Sequence, residues 1–396
     1  MKTINDFNFK DKKALVRVDF NVPQNADLKV TDNTRIEAVK PTIDKILNDG
    51  GSVILMTHLG RPKGKVSEEF SLKNIVSDVE TVLGKPVQFC PDCLGEEADN
   101  MTKNLKPGEI LLLENLRFYE GEENGDVAFA EKLSKYGDAY VNDAFGTAHR
   151  SHASTAIIAQ FFSSTKFFGL LMAKELEAID KVLKSGEKPI TAILGGSKVS
   201  SKITIIENIL PAVDHLIIGG GMAFTFIKAL GGMIGNSLVE DDKIGLALEI
   251  LEKAKNENVT IHLPVDAIIA DGFSNNAATK EVDIFEIPDG WMGLDSGTRS
   301  RKLFNDVVMN SRTILWNGPI GVFEMSIFAA GTVALGDSIA EATKLGAFSL
   351  VGGGDSVSFV KQFGYEEKVS YVSTGGGAML ESLEGKELPG VQAINN

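Results

Sequence analysis

Short apolar runs that break off into polar, loop-like sequence recur along this chain, and helical stretches separate them. In the first half the runs are Ala14 to Val22, which alternates as a strand should, then Val53 to Thr57, Ile110 to Leu113 and Ala139 to Val141. Between them, Thr34 to Leu47 places Ile36, Val39, Ile43, Ile46 and Leu47 on one helical face. In the second half the runs are Thr191 to Leu194, His215 to Ile218, Val259 to Leu263, Thr313 to Trp316, Phe348 to Val351 and Tyr371 to Ser373. Strands alternating with helices predict parallel sheets wrapped by helices. Leu170 to Leu183 keeps helical spacing between the two halves, and Ser185-Gly186 supplies a stop. The expectation is an α/β protein of two doubly wound parallel-sheet domains, residues 1–169 and 186–385, joined by an interdomain helix over 170–185. A length of 396 residues agrees with about 2 or 3 domains.

In open α/β sheets, ligands bind outside the carboxyl ends of the strands, so the residues just after each strand are informative. In the first half they are basic: His58-Leu59-Gly60-Arg61, Asn115-Leu116-Arg117 and His149-Arg150-Ser151-His152, with Arg35 opening the first long helix. Five of the eight arginines, Arg17, Arg35, Arg61, Arg117 and Arg150, lie in the first 150 residues. The planar guanidinium fork pairs bidentately with phosphate or carboxylate, so a site for a small polyanion is one reading. Five solvated surface arginines is the other. His149 and His152 are also a candidate metal pair, without a third ligand of clear spacing.

In the second half glycines come after the strands: Gly195-Gly196, Gly219-Gly220-Gly221, Gly352-Gly353-Gly354-Asp355 and Gly375-Gly376-Gly377. Glycine lets backbone approach a ligand, and the next helix offers free N–H groups and a positive dipole end. Each run is either a tight strand-to-helix turn or part of a nucleotide cradle. Lys198 and Lys202 are four apart, so on a starting helix both project from one side. Asp355 is placed either to hold Mg²⁺ through an oxygen or to cap a helix, or to do both.

Composition removes other classes. Lys and Arg total 40 against 54 Asp and Glu, a net charge of −14, which argues against nucleic acid and anionic membranes as partners. The opening MKTINDFNFKDKKALV lacks the apolar run of a signal peptide. The apolar stretch from Leu216 to Gly235 contains Lys228 and six glycines, so it reads as strand, turn and helix rather than a membrane span. Cys90 and Cys93 are the only cysteines. Cys-Pro-Asp-Cys reads as a redox motif or as two reduced thiols, and without a disulfide framework a cytoplasmic location is expected. No glycine run matches G-x-x-x-x-G-K-[ST] or G-x-G-x-x-G; Gly60 to Val66 has the wrong spacing.

Taken in order, the motifs resemble those of the phosphoglycerate kinase family over almost the whole chain. They are Val16-Arg-Val-Asp-Phe-Asn-Val-Pro23, His58-Leu-Gly-Arg-Pro62, Glu114-Asn-Leu-Arg-Phe118 and Asn142-Asp-Ala-Phe-Gly-Thr-Ala-His-Arg150 in the first half. The second half adds Gly195-Gly-Ser-Lys-Val199, Gly219-Gly-Gly-Met222, Gly290-Trp-Met-Gly-Leu-Asp295, Leu315-Trp-Asn-Gly-Pro319, Gly321-Val-Phe-Glu324 and Gly352-Gly-Gly-Asp-Ser356, and the tail Leu383 to Gly390 also fits. Ser197 and Ser151 stand where the family pattern has Ala.

The resemblance implies reversible phosphoryl transfer from 1,3-bisphosphoglycerate to MgADP, giving 3-phosphoglycerate and MgATP in glycolysis, by direct transfer in a closed cleft between domains that face each other. It implies that Asp19, Asn21, Arg35, His58, Leu59, Gly60, Arg61, Arg117 and Arg150 bind the glycerate substrate. Lys198, Lys202, Gly293, Asn317, Glu324, Gly353, Gly354, Asp355 and Ser356 bind ATP or ADP, with Glu324 on the ribose and Asp355 on Mg²⁺. Arg35, Lys198, Gly354 and Gly376 are the expected catalytic groups. The tail from about 386 to 396 is expected to return to the first domain. A monomer is expected. The presence of Lys198, Lys202, Arg35 and Asp355 argues against a non-catalytic nucleotide-binding relative.

Overall fold

The computed structural model describes all 396 residues and divides into two compact units, Met1–Leu176 with Glu387–Asn396, and Glu177–Lys386. The first holds β1 (Lys13–Val18), β2 (Ser52–Met56), β3 (Gln88–Cys90), β4 (Ile110–Leu113), β5 (Ala139–Asp143) and β6 (Lys166–Phe168). They form one sheet in the order β3-β4-β2-β1-β5-β6, and every pairing is parallel. A parallel sheet is covered on both faces, so its strands are continuous apolar runs. All residues of β2, β4 and β5 are buried accordingly. The helix Thr34–Asn48 buries Ile36, Val39, Ile43, Ile46 and Leu47 against the core that includes Val16, Val18, Val53 and Leu55.

The second unit holds β7 (Ile190–Leu194), β8 (His215–Ile218), β9 (Met233–Ile234), β10 (Thr260–His262), β11 (Asp266–Ala270), β12 (Thr279–Asp283), β13 (Glu286–Ile287), β14 (Met292–Ser296), β15 (Thr313–Asn317), β16 (Phe348–Val351) and β17 (Tyr371–Val372). Six of these make a second all-parallel sheet, β10-β8-β7-β15-β16-β17. Its core gathers Ile193, Ile217, Trp316, Ile339, Val351 and Phe359. Beside it lies an antiparallel sheet, β12-β11-β14, with its own small core of Phe224, Ile227, Ala267, Ile269 and Ile287.

Three features depart from the expectations of the sequence. The short strands β3 and β6 and the antiparallel sheet carry no sequence signal of their own. The Ala14–Val22 run leaves the sheet after Val18, where Asp19 Oδ1 accepts from the Asn21 N–H and Asn21 Oδ1 accepts from the Gly60 N–H across to the next strand end. The helix expected to run to Leu183 is regular over Leu170–Asp180 and widens into a π turn over Lys181–Ser185. No helix is long and apolar enough to cross a membrane.

Candidate functional site

In the first unit the residues after β1, β2 and β4 are bonded to one another. Asp19 Oδ2 accepts from Arg35 at 2.7 Å, tying the first turn of helix Thr34–Asn48 to the end of β1. His58, buried after β2, has Nδ1 3.2 Å from an Arg17 guanidinium nitrogen and 4.0 Å from Asp19 Oδ1. A guanidinium only donates, so Nδ1 is the acceptor and the ring proton sits on Nε2. Burial first, then the charges of Arg17, Arg117 and Arg35, holds the His58 pKa well below its usual value. His58 is therefore a neutral donor at pH 7.

Arg17 lies fully buried beneath this group and donates to the Val18 carbonyl and to Ser154 Oγ at 2.8 Å. Ser154 in turn donates to Glu122 through its hydroxyl at 2.6 Å and its N–H at 3.0 Å, so a buried carboxylate offsets the buried cation. The turn after β2 is fastened from three sides. The Gly60 N–H donates to Asn21 Oδ1 at 2.9 Å, the Gly60 carbonyl accepts from Arg117 at 3.0 Å, and the Leu59 carbonyl accepts from Asn115 at 2.7 Å. Gly60 has φ +62°, and a Cβ there would run into the Phe70 ring, so glycine is required.

Asp19, Asn21, Arg35, His58, Leu59, Gly60 and Arg117 thus form one linked group. Arg150 is exposed, yet its charge and that of Arg117 both act on His152, whose pKa burial and these cations push down to about 4. Arg61 is exposed and outside the bonded group. Nowhere are three or more His, Cys, Asp or Glu side chains gathered to hold a metal, so His149 and His152 have no such third ligand. Cys90 and Cys93 are buried free thiols. Burial pushes the Cys93 thiol well above its usual pKa, and its Sγ donates to the Glu114 carbonyl at 2.8 Å. A reactive cysteine needs a lowered pKa and exposure, so the redox reading gains no support.

In the second unit β8 and β15 flank β7 on opposite sides, which makes β7/β15 the topological switch point. A Cβ on Gly195 would strike the Pro319 carbonyl, so the loops after β7 and β15 pack backbone to backbone. Asn317, at the end of β15, joins three segments. Its Oδ1 accepts from Lys202 Nζ, its Nδ2 donates to the Gly352 carbonyl at 2.9 Å, and next to it the Gly318 N–H donates to Ser356 Oγ at 2.6 Å. Gly353 has φ +89°, and a Cβ there would crowd the Asn317 amide. The helices Gly354–Gln362 and Gly376–Leu383 both start without a side-chain cap, leaving first-turn N–H groups of Gly354 and Gly376 for an anion. Burial lowers the Lys202 pKa, against the opposing charges of Asp355 and Glu384.

Lys198 and Lys202 do not share a helix face as expected. A 3-10 turn, Val199–Ser201, separates them, and the α-helix begins only at Ile203. Val, Ser and Ser are mediocre helix formers, and Ser201 Oγ bonds back to the Lys198 carbonyl at 2.8 Å. Lys198 is consequently exposed and extended, while Lys202 is half-buried against Asn317.

Beside these loops lies a mainly apolar cavity of about 730 Å³, within the range of small-molecule sites. Phe224, Leu238, Gly293, Val322, Glu324 and Asp355 are among its lining residues. The Gly293 N–H donates to Ser237 Oγ at 2.9 Å, and a Cβ at 293 would run into the Phe224 ring. Asp355 is exposed in the first turn of its helix and belongs to no group of three or more His, Cys, Asp or Glu that could hold a metal. Without such a cluster, the carboxylate fits Mg²⁺ that arrives with nucleotide phosphates and keeps waters, rather than a caged protein-bound ion. The arrangement therefore joins an apolar slot, uncapped helix starts and a lysine, which together suit a nucleotide.

Several residues that shape these groups have no sequence signal marking them for the site: Ser154 and Glu122 under Arg17, and Ser237 and Phe224 at Gly293. They lie far apart along the chain and share no spacing. Arg17 is visible as an arginine in the sequence, but its buried position beneath His58 is not.

Comparison with known proteins places the chain. The family model described as Phosphoglycerate kinase matches residues 4–386. The chain is 54% identical to a phosphoglycerate kinase of Porphyromonas gingivalis, covering 99% of each, and 51% identical to one of Chloroherpeton thalassium, covering 100% of this chain and 99% of that protein. A solved structure of phosphoglycerate kinase from Coxiella burnetii superposes with a TM-score of 0.91 at 38% identity, covering 99% of this chain and 98% of that one. One from Pyrococcus horikoshii gives 0.82 at 33%, covering 100% and 98%. Both parallel sheets, the linked groups at their strand ends and these matches agree: the chain is a kinase and belongs to the phosphoglycerate kinase family.

Proposed function

We propose that the chain transfers a phosphoryl group reversibly between 1,3-bisphosphoglycerate and MgADP, giving 3-phosphoglycerate and MgATP. The observation that carries this reading is the pair of unlike anion-suited groups at strand ends, one in each unit. Arg35, His58, Arg117 and their partners suit a small polyanion. The apolar cavity, Lys202 and the uncapped helix starts suit a nucleotide.

In this reading Asp19, Asn21, Arg35, His58, Leu59, Gly60, Arg61, Arg117 and Arg150 hold the glycerate. Gly293 lines the adenine slot, Glu324 meets the ribose, and Lys202, Asn317 and Gly353 to Ser356 hold phosphates. Asp355 would hold Mg²⁺, which when bound offsets phosphate charge. An ADP oxygen attacks the phosphorus directly as the acyl oxygen leaves, so no protein nucleophile is needed. Negative charge spreads over the equatorial oxygens, and positioning and electrostatics do the catalysis. Arg35 and Lys198 clamp the moving group, and the N–H groups of Gly354 and Gly376 add donors, each worth about 3 kcal/mol. Direct transfer needs donor and acceptor within about 3–3.5 Å, so both ligands together drive closure, which also excludes water. We assign residues 1–169 with about 386–396 to the glycerate domain, 186–385 to the nucleotide domain and 170–185 to the link, and infer a cytoplasmic monomer. A coupled assay with 3-phosphoglycerate and MgATP tests the reading. Turnover supports it, and none with a folded protein refutes it.

A further inference from the structure

His215 opens β8 and His262 closes β10, the edge strand of the second parallel sheet. Thr260 pairs with His215 and His262 with Ile217. Side chains alternate between the faces of a sheet, so the two imidazoles stand on one face as a diagonal pair. His215 Nδ1 lies 3.2 Å from His262 Nε2, and the half-buried rings are tilted by 51° with centroids 5.2 Å apart. A hydrogen bond between them uses the N–H of one ring and the lone pair of the other. Two Zn–N bonds of about 2.0–2.1 Å at the tetrahedral angle put their nitrogens about 3.3–3.4 Å apart, close to the separation already present. Neither ring lines the 730 Å³ cavity.

We propose that His215 and His262 chelate Zn²⁺ as a two-imidazole site, with water completing the shell. Imidazole is the commonest protein metal ligand and suits Zn²⁺. When the ion enters, the donor ring gives up its facing proton to solvent and takes one on its far nitrogen, His215 Nε2 or His262 Nδ1, so protons balance. The rings swing about χ2, a broad and soft torsion, to aim both lone pairs at one point. Asp214, next to His215, is already taken: its Oδ1 accepts from Lys188 at 2.8 Å and its Oδ2 from the Ile190 N–H at 2.8 Å. Two protein ligands with an open shell make an exchangeable site rather than a structural cage. The pair His149 and His152 is less suited, because the charges of Arg117, Arg17 and Arg150 act on His152 and repel a cation. An ion bridging β8 to the edge strand β10 stabilises the folded chain by mass action.

The test is calorimetric titration of the metal-stripped full chain with ZnCl₂, without nucleotide, beside NMR of histidine-labelled protein. One ion should bind per chain. Of the five histidines, only His215 and His262 should shift their ring signals. Holding two ligands on one frame raises affinity over either alone by about 10²–10⁴-fold, so His215→Gln and His262→Gln should each weaken binding by about 100-fold. MgCl₂ should leave both rings unmoved, because Mg²⁺ prefers oxygen ligands. No binding at millimolar Zn²⁺ overturns the proposal. So does undiminished affinity in both variants, or a shift confined to His149 and His152. Where circular dichroism shows a variant to be unfolded, the ring shifts of the unaltered chain decide.

Discussion

Asp143 offers a quantitative test of how burial tunes this fold. It ends β5, is fully buried, and accepts the Met172 N–H at 2.9 Å through Oδ1, at the start of helix Leu170–Asp180. Its Oδ2 has no hydrogen-bond partner. Burial dominates and raises its pKa from 3.8 to about 7, against the Thr42 hydroxyl, the N–H groups of Met172 and Leu171 and the charge of Lys174. A carboxyl with a raised native pKa is held protonated more tightly in the folded state than in the unfolded one. Below about pH 4 both states carry the proton and the group costs nothing. Stability then falls as pH climbs towards 7, and above that the loss is complete. At about 1.4 kcal/mol per pKa unit, the rise from 3.8 to about 7 is worth about 4 kcal/mol. Asp143→Asn keeps the Oδ1 acceptor and cannot ionise. Its unfolding free energy, minus that of the wild type, should therefore grow by about 3 kcal/mol between about pH 4.5 and pH 8. Urea unfolding followed by circular dichroism measures this. Tryptophan emission serves as the control, because Trp291 and Trp316 both lie in the second unit. A difference that stays flat with pH refutes the reasoning and means that the native carboxylate is hydrated or charge-paired.

Three further outcomes are expected. Arg35→Ala should lose about 10²–10³-fold in kcat with little loss of stability, because Arg35 is half-exposed and pairs only with Asp19. Arg117→Ala, with its side chain 11% exposed and bonded to the Gly60 carbonyl, should mainly raise the KM for the glycerate substrate; equal KM-only defects in both variants remove Arg35 from catalysis. Lys202→Ala should weaken ADP binding, since it frees Asn317, whereas exposed Lys198→Ala should slow transfer; unchanged calorimetric ADP affinity in Lys202→Ala contradicts the first. Small-angle scattering should show a smaller radius of gyration with 3-phosphoglycerate and a non-hydrolysable MgATP analogue together than with either alone, and an unchanged radius at saturation argues against closure.

The sequence by itself determined the class of fold and the strand ends at which both candidate groups lie. Strands such as Ile110–Leu113 and His215–Ile218 were legible because a parallel sheet buried on both faces demands unbroken apolar runs. Gly353 and Gly60 were legible because no other residue tolerates their turns. The strands Gln88–Cys90 and Lys166–Phe168 were not, since three residues carry no periodicity and are recruited by neighbours already in place. Only the tertiary structure decided how Lys198 and Lys202 diverge. A spacing of four implies a shared face only where the backbone is helical, and local serine bonding replaces the helix there. It alone decided the protonation of His58 and Asp143, because desolvation depends on what packs around a group. It alone brought Arg17, Ser154 and Glu122 together under His58, contacts between residues whose separation along the chain leaves no pattern to read.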